Sequence, residues 1–249
     1  MSKDIFLSII IPAHNEEAGI ALTCEAIMAE FKQNNVNDYE ILIVNDHSTD
    51  RTEDVLKEFG ARNPSMRYIN NNKEGGFGMA IRQGLAEFRG QAVAIVMADL
   101  SDSPKDILVY YQELKKGAEC VFGSRFIKGA KVYDYPAHKY ILNRIANGFI
   151  QMLFRLDYND TTNAFKAYRR EVIEGLYPLL AHHFNLTVEL PLKAIVRGYR
   201  YVKVPISWTN RKTGVSKLKI QEMGSRYLFI VLYVWLEQSF SKGDYKRKF

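Results

Sequence analysis

The sequence predicts a mostly parallel α/β sheet with helices on both faces. Three observations lead there. Short apolar runs rich in Ile and Val alternate with helical periodicity through the first half of the chain, polar punctuation follows each run, and no linker rich in Gly, Ser or Pro divides the chain. Strands buried on both faces read as continuous apolar runs, which is the mark of a parallel sheet. The second half is therefore expected to complete the same domain.

Taken in order, the strand runs are Leu7 to Ile11, Ile41 to Val44 and Ala92 to Met97, with weaker ones at Met66 to Ile69 and Cys120 to Phe122. Helical periodicity follows at Ala18 to Phe31, Thr52 to Phe59, Met79 to Phe88 and Ile107 to Leu114. Asp50 is placed to cap the second helix, and Ser103 before Pro104 starts the fourth. After Gly123-Ser124-Arg125 the pattern changes to a loop with Tyr133, Tyr135 and Pro136, a helix near Tyr140 to Phe154, a short strand at Ala164 to Tyr168, and further helices. The Gly75-Gly76-Phe77-Gly78 stretch lacks the spacing of a P-loop or dinucleotide fingerprint and reads as close helix-to-sheet packing.

With 249 residues, 47% of them hydrophobic and 25% charged, the chain can bury one substantial core. A formal charge of +6 and a pI near 9.1 favour an anionic partner, whether nucleotide phosphate, acidic lipid or nucleic acid. Nucleic acid is disfavoured because the basic residues form no single stripe. Two cysteines, Cys24 and Cys120, give no disulfide framework and point to a reducing compartment. Met1-Ser2-Lys3-Asp4 runs straight into a β-rich segment without a signal peptide, so a cytoplasmic protein is expected.

In such sheets ligands sit outside the carboxyl ends of the strands. The residues there are polar: Pro12-Ala13-His14-Asn15-Glu16-Glu17, Asn45-Asp46-His47-Ser48-Thr49-Asp50 and Asp99-Leu100-Ser101-Asp102. Three acidic or amide-rich loops converging on one edge suggest a site for sugar, base and metal. Glu16 and Asp46 can accept hydrogen bonds from a base or ribose, while Pro12 holds its loop extended. Glu16 also suits a helix N-terminus, and His14 suits plain solvation.

The ordered motifs resemble glycosyltransferase family two, of the GT-A fold, and most of all its dolichol-phosphate mannose synthase branch. They are Ile11 to Glu16, Val44 to Thr52, Met97 to Asp102, Gly123 to Arg125, Asn163 to Arg170 and Arg211 to Lys217, and the resemblance runs from about Ile9 to Lys217. It implies a GT-A domain over residues 1–217, followed by a C-terminal amphipathic helix and basic tail over 218–249.

The resemblance also implies roles. Pro12, His14, Glu16, Val44, Asp46, Ala98 and Asp99 would line the donor nucleotide. Met97 to Asp102 corresponds to the family's DxD motif, which grips Mg²⁺ or Mn²⁺ bridging the donor phosphates. Here Met97 replaces the first Asp and Ser101 a frequent Gln, leaving Asp99 as the main ligand with Ser101 and Asp102 as helpers; alternatively, Asp99 and Asp102 only cap the next helix. Hard cations take oxygen ligands and keep several waters, so one or two carboxylates suffice. Arg125, Lys139 and Asn143 fall where the family holds the acceptor phosphate, although the family shows Arg and Ser at the last two places; surface charge is the other reading of Arg125 and Lys139. Arg211 and Lys217 flank a flexible Thr213-Gly214 turn suited to closing on pyrophosphate. Asp99, Arg125 and Arg211 are the expected catalytic residues.

Transfer to a sugar hydroxyl needs a base to remove a proton, whereas a lipid phosphate is already anionic. Apart from Asp160, no base stands near Asn163-Ala164-Phe165, and His182 and His183 read as solvent or packing residues. The leading expectation is inverting transfer from a GDP- or UDP-linked sugar to a polyprenyl or dolichyl phosphate. A glycan acceptor with Asp160 as base, and a nucleotide-sugar-binding module with weakened catalysis, are the alternatives. From Ile220 to Phe240 the chain reads as one aromatic-rich helix flanked by Lys217, Lys219, Lys242, Lys246, Arg247 and Lys248. Such a helix suits an anionic membrane surface, where the enzyme would sit peripherally, or it packs on the domain or between copies in a homo-oligomer. Its apolar stretch, Tyr227 to Leu236, is about half of the ~20 residues a spanning helix needs.

Overall fold

A computed structural model describes residues 4–210 and 220–247. Among them the elements run β1 Leu7–Ala13, α1 Ile20–Gln33, β2 Tyr39–Asn45, α2 Thr52–Arg62, β3 Met66–Asn70, α3 Phe77–Glu87, β4 Ala92–Ile95, α4 Pro104–Lys115 and β5 Cys120–Ser124. They continue with β6 Lys131–Tyr133, α5 Ala137–Phe154, β7 Lys166–Arg169, α6 Arg170–Gly175, α7 Leu186–Val196, β8 Tyr201–Pro205, β9 Ser207–Thr209 and α8 Ile220–Phe240.

Seven strands form one sheet in the order β3-β2-β1-β4-β7-β5-β8, and β6 pairs with β9 separately. The pairs β2 with β3, β1 with β2, β1 with β4 and β5 with β8 are parallel, so the expected mostly parallel sheet is present. β7 lies antiparallel between β4 and β5. Its direction follows from where the chain re-enters: Asp160 bonds to Arg125 just past the end of β5, so β7 starts at the carboxyl edge and has to run back.

Alternation sorts the strands onto two cores. Ile9, Ile11, Ile41 and Ile43 face one cluster with Ile20, Cys24, Ile27, Ile107 and Leu114, which brings α1 and α4 to that face. Ile10, Leu42, Val44 and Val93 face the other, with Ile81 and Leu85 of α3, Leu190 of α7 and Ile230, Val231 and Val234 of α8. Each fully buried Ile or Leu contributes about 1.5–3 kcal/mol relative to exposure, which makes these runs the main determinant of register.

Two local expectations change. Asp50 is not the cap residue of α2, which is Arg51, yet its Oδ1 still accepts the Thr52 amide at 3.0 Å. The glycine that lets a helix approach the sheet is Gly84, where a Cβ would meet Ile10 Cγ2 at 2.8 Å. Gly78 instead lies on the backbone of His182 and His183, where a Cβ would meet the His182 carbonyl carbon at 2.5 Å.

Candidate functional site

The three polar loops do converge at the carboxyl edge of β1, β2 and β4, and each contains a non-glycine residue with positive φ: Asn15 at 55°, His47 at 56° and Leu100 at 55°. Left-handed backbone at a bulky residue such as Leu100 persists only where surrounding contacts enforce it, and such strain gathers at functional loops.

Asn15 Oδ1 accepts the Thr49 amide at 2.7 Å, the Glu16 amide donates to Thr52 Oγ1 at 2.9 Å, and Glu17 Oε2 accepts the Arg51 amide at 2.8 Å. The Ser48 to Thr52 segment thus locks the first loop to the start of α2. Pro12 sits on β1 opposite Val44. His14 Nδ1 lies 2.6 Å from the Asp46 carbonyl. Glu16 is half-buried. Val44 is fully buried in the core, so toward a donor it offers backbone only. Ala98 is buried too, its carbonyl accepting Thr23 Oγ1 at 2.7 Å.

Asp46 has a different set of partners from those expected of a base reader. Its Oδ1 accepts Asn71 Nδ2 at 2.8 Å and its Oδ2 accepts the Gly76 amide at 2.9 Å, with His47 Nδ1 at 3.2 Å from Oδ1. The carboxylate therefore ties the segment between β3 and α3 to the end of β2. Gly76, at φ 143°, makes that approach possible.

Asp99 is half-buried and its Oδ1 accepts the Ser101 amide at 3.1 Å. Ser101 and Asp102 are buried, and Asp102 Oδ2 accepts the Met97 amide at 3.0 Å. Met97 thus closes the loop through its backbone, a contact its side chain does not affect. Burial pushes the Asp102 carboxyl up to about 7; the Met97 amide opposes this and the nearby Asp99 charge adds to it. Among the described residues no three His, Cys, Asp or Glu side chains converge as a ready metal cage.

At the other end of the site, Arg125 is held by Asp160 through its amide at 3.0 Å, its Nε at 2.9 Å and its Nη2 at 2.8 Å. The Arg125 side chain is 8% exposed and that of Asp160 is 0%. Burial opposes the guanidinium charge and Asp160 more than offsets it. The rings of Phe126, Tyr135 and Trp208 stand 5.4–5.6 Å from the guanidinium carbon. Asn143 Nδ2 donates to Thr162 Oγ1 at 2.8 Å, and Lys139 is half-buried one turn before it on α5. Arg211 and Lys217 lie outside the described residues.

Sequence reasoning weighed Asp160 as a base and missed it as the partner of Arg125. It also missed Asn147, Lys166 and Trp208, whose roles depend on contacts from distant segments. The available signal was the polar turn Asp160-Thr161-Thr162-Asn163 directly before a strand that packs into a core.

The family model for glycosyl transferase family 2 matches residues 8–176. This chain belongs to glycosyltransferase family 2. Within the family it is 31% identical over 215 residues to a dolichol-phosphate mannosyltransferase of Pyrococcus furiosus, an alignment covering 86% of this chain and 59% of the relative. It is 30% identical over 216 residues to a polyprenol monophosphomannose synthase of Mycolicibacterium smegmatis, covering 84% of this chain and 80% of the relative. The chain therefore spans little more than half the length of the first and most of the second. Among solved structures, glucosyl-3-phosphoglycerate synthase from Mycobacterium tuberculosis in complex with Mn²⁺, UDP and phosphoglyceric acid superposes with a TM-score of 0.69 at 18% identity, covering 94% of this chain and 78% of that one. The shared fold is GT-A, a mostly parallel α/β sheet with helices on both faces.

Proposed function

We propose that this glycosyltransferase family 2 chain moves a glycosyl unit, with inversion, from a GDP- or UDP-linked sugar to a polyprenyl phosphate. The observation that carries the reading is the state of Asp160. Transfer to a sugar hydroxyl would call on that carboxylate as base, but it is wholly buried and bonded three times by Arg125. A phosphate acceptor needs no base. Its oxygen forms the bond to the anomeric carbon while the bond from that carbon to the nucleoside diphosphate breaks, and no proton has to leave. The names of the two relatives, a dolichol-phosphate mannosyltransferase and a polyprenol monophosphomannose synthase, agree with such an acceptor.

Arg125, oriented by Asp160, and Lys139 would supply positive charge at the acceptor end. Pro12, His14, Glu16 and the segment fixed by Asp46 would bound the donor nucleotide. The donor set suits a hard divalent cation, because Asp99 offers carboxylate oxygen beside a second carboxyl, Asp102, that already feels its charge. Held by Asp99, with Ser101 and Asp102 behind it, Mg²⁺ or Mn²⁺ would neutralise charge developing on the leaving diphosphate. The Mn²⁺ and UDP bound by the mycobacterial synthase support the same class of site.

A membrane-bound acceptor also fits the surface. Tyr140, Ile141, Ile145, Phe149 and Met152 of α5 are exposed, as are Leu228, Phe229, Leu232, Leu236 and Phe240 of α8, and the two helices touch. Apolar patches of this kind mark protein or membrane contacts. No described helix is long and apolar enough to cross a bilayer, so the reading is of peripheral contact.

The test is to incubate the full chain with GDP- and UDP-sugars, Mg²⁺ or Mn²⁺ and polyprenyl phosphate, and to assay glycosyl-phosphate lipid with and without chelator. Metal-dependent formation of that lipid is expected. Transfer only to a free glycan, or nucleotide binding without any transfer, would overturn the reading.

A further inference from the structure

The turn of residues 160–163 is gripped from below, from one side and from above. From below, Lys166 at the start of β7 is buried to 1% exposure and donates from Nζ to the carbonyls of Thr161 at 3.0 Å, Asn163, and Thr187 of α7 at 3.4 Å. An ammonium carries three donors, and here each has a carbonyl. From the side, Asn147 of α5 is wholly buried; its Oδ1 accepts the Thr162 amide at 3.2 Å and its Nδ2 donates to Thr162 Oγ1 at 3.0 Å. From above, Asp160 takes the amide, Nε and Nη2 of Arg125.

We infer that Lys166 and Asn147 are positioning residues that clamp this turn, so that Asp160 fixes Arg125 for an anionic acceptor. Neither side chain needs to touch substrate. A buried ammonium is expensive to desolvate and is retained only where partners compensate. Burial pushes the Lys166 pKa down to about 7, with the Asp160 charge opposing the shift, and the clamp rests on the three carbonyl contacts. Asn147 adds a second link: it joins the turn to α5, the helix whose other face is apolar and exposed.

The inference rests on the polyprenyl-phosphate reading for its kinetic consequence only, because the Arg125 amide reports the clamp directly. That amide donates to Asp160 Oδ2, so its hydrogen exchange measures whether the carboxylate is in place. In Lys166→Met and in Asn147→Ala of the full chain, the Arg125 amide should exchange at least tenfold faster than in the parent. The KM for polyprenyl phosphate should rise about tenfold, whereas the Kd for GDP or UDP with Mn²⁺ should stay within twofold. If Lys166→Met does not fold, Asn147→Ala alone decides. Unchanged protection of the Arg125 amide in the folded variants overturns the clamp, and so does an equal weakening of nucleotide binding, which would signal general loosening. If the parent transfers nothing to polyprenyl phosphate, the functional reading falls while the exchange result still decides the clamp.

Discussion

Arg197 at the end of α7 and Glu237 on α8 form a buried two-bond ion pair, Nε to Oε1 at 2.8 Å and Nη2 to Oε2 at 2.9 Å. The remaining arm of Arg197, Nη1, donates to the carbonyls of Gly175 and Tyr177. The C-terminal helix is thus bound into the domain by a charge pair as well as by Ile230, Val231 and Val234. Removing one partner of a buried pair leaves an uncompensated charge, at a cost of about 3–5 kcal/mol. Glu237→Ala should therefore lower the urea midpoint strongly, and removal of everything after Lys219 should leave a chain that no longer folds cooperatively. Near-native denaturation of the truncated chain would contradict this account of α8.

The exposed face of α8 calls for substitution instead of truncation. Phe229, Leu236 and Phe240 are 50–70% exposed, so Phe229→Ser with Leu236→Ser should change thermal stability little. Binding to vesicles rich in anionic lipid should weaken, and co-sedimentation at low and high salt measures it. Unchanged sedimentation, together with a shift in oligomeric state, would assign the face to a second copy.

Asp99→Ala should reduce metal-stimulated transfer by at least two orders of magnitude while changing the denaturation midpoint little, since the side chain is half-buried in a loop outside both hydrophobic cores. Titrating Mn²⁺ against parent and variant, with turnover as the readout, tests this. Full activity at saturating metal would move the cation to another ligand.

Asp46→Asn separates two roles for that carboxylate. A base reader would change the preference between GDP and UDP. A residue that holds the Asn71 to Gly76 segment should weaken both alike, by roughly tenfold for one lost charge-assisted bond of about 1.5 kcal/mol. Calorimetric binding of the two nucleotides in the presence of Mn²⁺ distinguishes the outcomes, and the contacts favour equal loss.

Much of this protein is written locally. The runs Leu7 to Ile11, Ile41 to Val44 and Ala92 to Met97 read as strands buried on both faces, and with helical periodicity between them this makes a parallel sheet the consistent solution, although the third strand ends at Ile95. The polar residues after each run were also legible as the ligand-facing edge, because that edge follows from strand direction alone. The helix from Ile220 to Phe240 was legible in its full extent.

Partnership was decided by the tertiary structure. Asp46 and Arg125 stood out as chemical groups, but the sequence carries no trace that Gly76, 30 residues away, takes the first, or that Asp160, 35 residues away, takes the second. The same holds for the direction of β7, the burial of Asp102 and the pairing of Arg197 with Glu237 across 40 residues. Burial and hydrogen-bond pairing are properties of neighbours in space. Hydrophobic period and turn chemistry are properties of neighbours along the chain, and the sequence by itself determines only the latter.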